Sequence, residues 1–310
     1  MNRKALVFWL LLAAVLVALP PLVLALKQAY YVDLVRRIMI LAIAAISLDL
    51  ILGYGGLVSF GHAAYLGVGA YAVGILAFYG IGNGWAHFAV AMGASALVAL
   101  AIGAVSIRAS GIYFIMITLA FTQMLYYLGI SLAEFGGDDG MRIKIRSRFP
   151  LVDLADPVAA YYVALALMLL SAFLVSRIVN SRFGLALRAC KSNDARARAL
   201  GFSPYPVRLL AFVIAGALCG LSGALYANHT NYITPSLMSW LQSGELMFMV
   251  ILGGMGTAAG PVLGAFALLM AEEVLKGFTE YWQVILGPLL VLSVIFFRRG
   301  LAGLIEKKDA

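Results

Sequence analysis

The sequence predicts an all-α, polytopic membrane protein of about ten transmembrane helices, one or two of them broken or short, with N- and C-termini cytoplasmic. Three observations predict it. Of 310 residues, 64% are hydrophobic and 12% charged, with a mean hydropathy of +0.99, against roughly 25% charged in an ordinary soluble domain. Apolar runs of about 20 residues, long enough to cross a bilayer, recur along the chain. Lysine and arginine collect mostly between those runs. Few residues remain for a second globular unit, so 1–310 reads as a single transmembrane domain. The net charge of +8 then marks anchoring beside the bilayer rather than a nucleic-acid footprint. Two cysteines, Cys190 and Cys219, provide no disulfide framework.

The first run, 5–26, follows Asn2-Arg3-Lys4. It exceeds the roughly 7–15 residues of a signal-peptide core and no clear small-x-small site follows, so it is expected as a retained helix. Further runs occupy 38–57, 60–82, 86–107, 111–131, 158–178, 206–228, 240–256, 258–275 and 281–297. The run at 240–256 is the weakest, because Gly253, Gly254, Gly256 and, just beyond, Gly260 leave little room for a regular span.

Charge sets the expected orientation. Between 177 and 208 stand Arg177, Arg182, Arg188, Lys191, Arg196, Arg198 and Arg208 against the single acid Asp194, which places that connection in the cytoplasm. Arg3, Lys4, Arg108, Arg298, Arg299, Lys307 and Lys308 fall on the same side if every run crosses. Arg36 and Arg37 fall outside and are the main exception. Tyr30, Tyr31, Trp85, Tyr126, Tyr127, Tyr161, Tyr162, Trp240 and Trp282 land at outer span ends, where amphipathic rings settle at headgroup level.

Within the basic connection, 180–205, the second half reads as a short helix. Asn193 or Asp194 can cap its start, alanine and arginine favour its interior, and Gly201 suits the left-handed position after its end. So polar a piece reads as a rigid knob presented to the cytoplasm, or more plainly as a solvated positive loop.

The stretch Phe183-Gly184-x-x-x-Arg188-Ala189-x-x-x-Asn193-x-x-x-Ala197-x-x-Leu200-Gly201 resembles the coupling segment of bacterial ABC importer permeases of the LivH/LivM branched-chain amino-acid family. Gly53-Tyr54-Gly55-Gly56-Leu57-Val58-Ser59-Phe60-Gly61-His62-Ala63, Gly136-Gly137-Asp138-Asp139-Gly140-Met141, the run from Met249 to Thr257 and Gly260-Pro261-Val262-Leu263-Gly264 resemble the LivM-type subunit in order. The resemblance covers nearly the whole chain. It implies an inner-membrane permease that pairs with a homologous second permease, two ATP-binding subunits and an extracytoplasmic solute-binding protein. It nominates Arg188, Lys191 and the stretch from Asn193 through Asp194, Arg196, Arg198 and Leu200 to Gly201 as contacts to the ATPase. No G-x-x-x-x-G-K-[ST] loop occurs here, so ATP and its magnesium belong to another chain.

Gly53, Gly55 and Gly56 cluster at one expected helix break, Gly253 and Gly254 at another. Interrupted spans in corresponding places point to a midplane pathway, with close helix packing as the alternative. Ionisable groups at membrane depth are functional candidates: Asp49, the deepest, with Glu245 and His62, and more weakly Ser59 and Tyr65. An acid facing the pathway would meet a substrate ammonium. The structural alternative has Asp49 bonding a neighbouring helix, Glu245 capping its own, and His62 at the interface.

The connection 132–157 is the one long external loop. Arg142, Lys144, Arg146 and Arg148 alternate with Ile143, Ile145 and Ser147, a period of two that suits an extended ribbon with one basic face. Five acids in the same loop can neutralise it. Gly136 to Gly140 is a turn by composition.

Catalysis finds little support. Gly220-Leu221-Ser222-Gly223 matches a short protease-like pattern, but His229 lies on the same helix, about 10 Å along its rise, and Gly216, Gly220 and Gly223 read as a packing face. His62, His87 and His229 are scattered, and no cluster with metal-ligand spacing occurs. The expected function is a non-catalytic permease for branched-chain or other hydrophobic amino acids, with alternating access driven by separate ATPases. A permease of the same type for urea or short amides, and a self-sufficient ion-coupled transporter using Asp49 or Glu245, are the alternatives.

Overall fold

A computed structural model describes residues 3–25, 28–150, 153–154, 156–296 and 300–304. Arg298, Arg299, Lys307 and Lys308, expected on the cytoplasmic side, lie outside the described residues. The described chain holds twelve α-helices: α1 (Arg3–Ala25), α2 (Ala29–Asp49), α3 (His62–Phe78), α4 (Gly84–Ser106), α5 (Ile112–Ser131), α6 (Pro157–Val179), α7 (Arg182–Ser192), α8 (Asp194–Ala199), α9 (Pro204–Thr230), α10 (Trp240–Gly253), α11 (Gly260–Phe278) and α12 (Trp282–Phe296). A π-helical turn, Leu50–Tyr54, extends α2. Four helices, α4, α5, α6 and α9, are long and apolar enough to cross a membrane, and shorter apolar helices flank them. The protein is all-α and membrane-embedded.

Local signals set the helix starts. Asn83 accepts the Trp85 amide before α4, Asp156 accepts those of Val158 and Ala159 before α6, with Pro157 in the first turn, and Ser239 accepts that of Gln242 before α10. Each side chain satisfies an amide that the first turn leaves without a carbonyl. The expected run at 38–57 starts too late. The helix begins at Ala29, and Arg36 in its early turns donates to Asp33 and, at 2.9 Å, to Nδ1 of His229.

The core centres on α9, whose most apolar stretch is 67% buried against 28% for α4 and 22% for α5; the latter two leave broad faces for lipid or another chain. Glycine lets α9 approach its neighbours. A Cβ at Gly223 would strike the Leu66 carbonyl of α3, one at Gly69 the Gly220 carbonyl, and one at Gly216 the side chain of Ala99 in α4. This is the small-residue packing face the sequence suggests, and the Ser222 hydroxyl within it donates to the Ile40 carbonyl at 2.6 Å.

Pro20 and Pro21 stand inside α1. Having no N–H, they leave the carbonyls of Leu16 and Val17 without helical donors. Two consecutive tyrosines of α6 fill both vacancies: the Tyr161 hydroxyl donates to Leu16 at 2.8 Å and that of Tyr162 to Val17 at 3.2 Å.

The helix ends sort into two sides. On one, strands β1 (Met141–Arg142) and β2 (Tyr232–Ile233) pair antiparallel, tying the 132–157 connection to the α9–α10 link. The expected ribbon is thus two residues long; beyond it Ile143 and Ser147 turn inward while Arg142 and Lys144 stay exposed. Gly136, Gly137 and Gly140 take positive φ through the predicted turn. On the opposite side lie α7 and α8.

Candidate functional site

The two glycine-rich breaks meet. The first follows α2, where the π-helical turn ends and the chain runs without helix to His62; the second separates α10 from α11. Asp49, in the last turn of α2 and 1% exposed, accepts a hydrogen bond at 2.8 Å from the backbone N–H of Gly256. A Cβ at Gly53 would collide with that same carboxylate and amide. Gly256 adopts φ +71° and Gly254 φ +113°, values that an L side chain resists. Gly253 packs directly on Gly260 and Gly264, so α10 and α11 close on each other at the break.

Both breaks sit at helix ends on the α7–α8 side, and Asp49 is buried in the last turn of α2, just before the π-helical turn. The sequence marks the breaks through glycine, but apolar residues on both sides hide where each helix stops.

Lys191, in the last turn of α7, reaches this junction. Its ammonium donates to the Gly53 carbonyl at 2.5 Å, an acceptor that the ending helix leaves without an amide partner. A cation suits that position because a helix C-terminus carries partial negative charge. The Lys191 stem lies on Gly56, whose φ of +70° and missing side chain make room for it. Lys191 is therefore turned toward the breaks at its tip.

The remaining residues of 180–205 divide between scaffold and surface. Asn193 caps α8 by accepting the Arg196 amide at 3.0 Å, and Gly201 takes φ +85° past its end, as the sequence suggests. Asp194 pairs with both terminal nitrogens of Arg208 at 3.0 and 2.8 Å, and Arg208 also donates to the Cys190 carbonyl, which locks α7 and α8 to the start of α9. Arg188 donates to the Val179 carbonyl at 3.1 Å, finishing α6. The segment is not wholly polar: Gly184, Ala186, Leu187, Cys190 and Ala197 are buried, and burial pushes the Cys190 thiol up from its ordinary pKa. Outward it presents Arg196, Arg198 and the apolar Leu185, Leu200 and Phe202.

His62 opens α3 fully buried, its Nε2 2.8 Å from the Ser47 hydroxyl and its ring edge-on to Tyr65. The Ser59 hydroxyl accepts the Gly61 amide at 3.2 Å. Gly55 and Ser59 of the first break are buried, as is Tyr65 in the first turn of α3. Ser243 of α10 accepts the Ala63 amide at 3.1 Å; neither it nor Ser47 carries a sequence signal, since an isolated serine in an apolar run has no local mark. Glu245 is not brought to the breaks. It lies in the second turn of α10, on the side of the 132–157 connection, with Gln242 donating to it at 2.8 Å.

Chemically, this junction is a set of polar links between separate elements: one carboxylate, one amide, one carbonyl and one ammonium join α2, the α10–α11 break and α7. Among the described residues no cluster suited to a metal ion occurs.

A family model for the permease component of the branched-chain amino acid transport system matches residues 30–294. The chain is 30% identical over 295 residues, 87% of its length and 69% of the relative's, to the high-affinity branched-chain amino acid transport system permease protein LivM of Salmonella typhimurium. It is 24% identical to the LivH permease protein of Escherichia coli K12, over 84% of this chain and 91% of that one. It is 30% identical to the autoinducer 2 import system permease protein LsrC of an Enterobacter strain, over 95% of this chain and 86% of that one. No solved structure gives a significant match.

Proposed function

The chain belongs to the family of branched-chain amino acid transport system permease components, and from that premise we propose that it forms half of the translocation pathway of an ATP-driven importer for branched-chain or other hydrophobic amino acids. It works in a bacterial inner membrane with a homologous permease, two ATP-binding subunits and an extracytoplasmic solute-binding protein. The face of α7 and α8 that carries Leu185, Arg196, Arg198, Leu200 and Phe202 seats on an ATP-binding subunit.

The observation that carries the reading is the bond from Lys191 to Gly53. It gives α7 a direct hold on the first break, and Asp49 passes that hold to the second through Gly256. ATP-driven closure of the partner subunits displaces α7, the break moves with it, and the two permeases exchange outward for inward access. The motion needs no proton or ion taken up by this chain.

Similarity to the autoinducer 2 import permease LsrC over 95% of the chain favours one second reading of the cargo: a solute other than an amino acid, carried by the same mechanism. Reconstitution tests both. The complete complex with its binding protein should accumulate leucine at the expense of ATP, and this chain alone should accumulate nothing. Uphill uptake by the lone chain under an ion gradient defeats the proposal, and accumulation of a different solute redirects the cargo only.

A further inference from the structure

Two adjacent arginines, Arg36 and Arg37, stand within α2, and the structure treats them differently. Arg36 is fully engaged with Asp33 and His229. Arg37 has no ion pair or hydrogen bond among the described residues, and its Nε is buried without a partner. Across from it on α10, Glu245 spends one oxygen on Gln242, while Oε1 is buried and equally unanswered. The two groups feel each other's charge, together with Glu272 and Lys276 of α11 and Tyr226 of α9, yet no ion pair joins them. Glu272 and Lys276 satisfy one another at 2.6 Å.

Arg37 lies about 12 Å along α2 from its first residue, and Glu245 about 8 Å along α10 from its own, by helix rise. Both helices start on the side of the 132–157 connection and pack together, so the pair sits at a common depth below that surface. A charge retained within a membrane span without a partner marks a substrate or ion route. Here the unanswered groups are one cation and one anion, separated by more than an ion pair.

We propose that Arg37 and Glu245 form an entry station for an amino-acid zwitterion: the guanidinium takes the α-carboxylate and the Glu245 carboxylate takes the α-ammonium. The proposal rests on the amino-acid import reading above. A zwitterion satisfies both groups at once, with charge-assisted hydrogen bonds at each end, whereas a neutral amide or a plain anion answers one and leaves the other bare. The station lies on the opposite side of the protein from the Asp49–Gly256 junction, so solute is received at one end of the bundle and the drive is applied at the other.

The test uses the whole importer in proteoliposomes, with radiolabelled L-leucine and internal ATP. Truncating one partner of a buried charged contact is expected to cost uptake at least about tenfold. Arg37→Gln and Glu245→Gln should each show that loss while complex recovery and ATP hydrolysis stay within about twofold of wild type. Wild-type uptake with both variants also within about twofold overturns this station and leaves the import reading intact; a wild-type complex that accumulates no leucine defeats the import reading itself. If the variants fail to assemble, Gln242→Cys decides in a chain with native Arg37 and Glu245. Both native thiols are buried, so maleimide reports the new one. Labelling slowed by leucine, but not by leucinol or 4-methylpentanoate, supports the station. Labelling indifferent to leucine, or slowed alike by all three, overturns it.

Discussion

The ammonium of Lys191 lies 2.5 Å from the carbonyl oxygen of Gly53, joining residues 138 positions apart in sequence. Lys191→Met keeps the aliphatic stem on Gly56 and removes only the donor. A hydrogen bond to a charged group contributes about 1.5–3 kcal/mol, so uptake by the reconstituted importer is expected to fall about tenfold while ATP hydrolysis continues. Coupled transport at the wild-type rate would show that the bond transmits nothing.

Asp49 accepts a hydrogen bond from the Gly256 amide, and the proposed mechanism asks it to carry no ion. Asp49→Asn retains an oxygen for the Gly256 amide and is expected to preserve assembly and ATP-driven uptake. Asp49→Leu leaves that amide orphaned, at a cost of about 1–3 kcal/mol, and should lower the melting temperature of the complex. Loss of uptake in the asparagine variant, with a normal melting temperature, would favour an ion-coupled role for the carboxylate.

Gly223→Val places atoms against the Leu66 carbonyl and the Ala70 amide. Overpacking of this kind costs about 1–3 kcal/mol, and purified yield and melting temperature should both drop. Gly93→Ala, in open space on α4, is the control and should be tolerated. Equal behaviour of the two variants would contradict the close approach of α3 and α9.

Cys190 is neutral in the folded protein, and burial holds its thiol above the ordinary value. Such a group stabilises the fold fully below the unfolded pKa, and that contribution is lost as pH rises past it, because the unfolded chain ionises first. Iodoacetamide at pH 8 should therefore alkylate Cys190 far more slowly in the native complex than after unfolding in detergent. Matching rates would mean that α7 does not bury it.

The order of the helices was legible because apolar runs of bilayer length announce themselves, and the α8 cap was legible because Asn193 and Gly201 carry local backbone preferences. The breaks were visible as glycine, but their contact through Asp49 and Gly256 is a long-range pairing that no local pattern encodes. Lys191 is nominated through the resemblance as a contact to the ATPase, and its bond to Gly53 is not legible, since sequence gives its charge and not the direction in which its tip points. Glu245 is marked in sequence by the cost of burying a carboxylate and by its place near the start of the run that opens at Trp240, whereas the side chains that surround it are long-range neighbours that no local pattern names.

The clasp between α1 and α6 carries a consequence for how the first helix finds its seat. Because two neighbouring tyrosine hydroxyls meet two neighbouring carbonyls vacated by Pro20 and Pro21, the match holds at a single height and a single rotation. An unrelated greasy helix of equal length would dissolve in the bilayer just as well and dock nowhere. What a hydropathy plot scores as generic membrane anchor is, at its proline pair, a key cut for one lock.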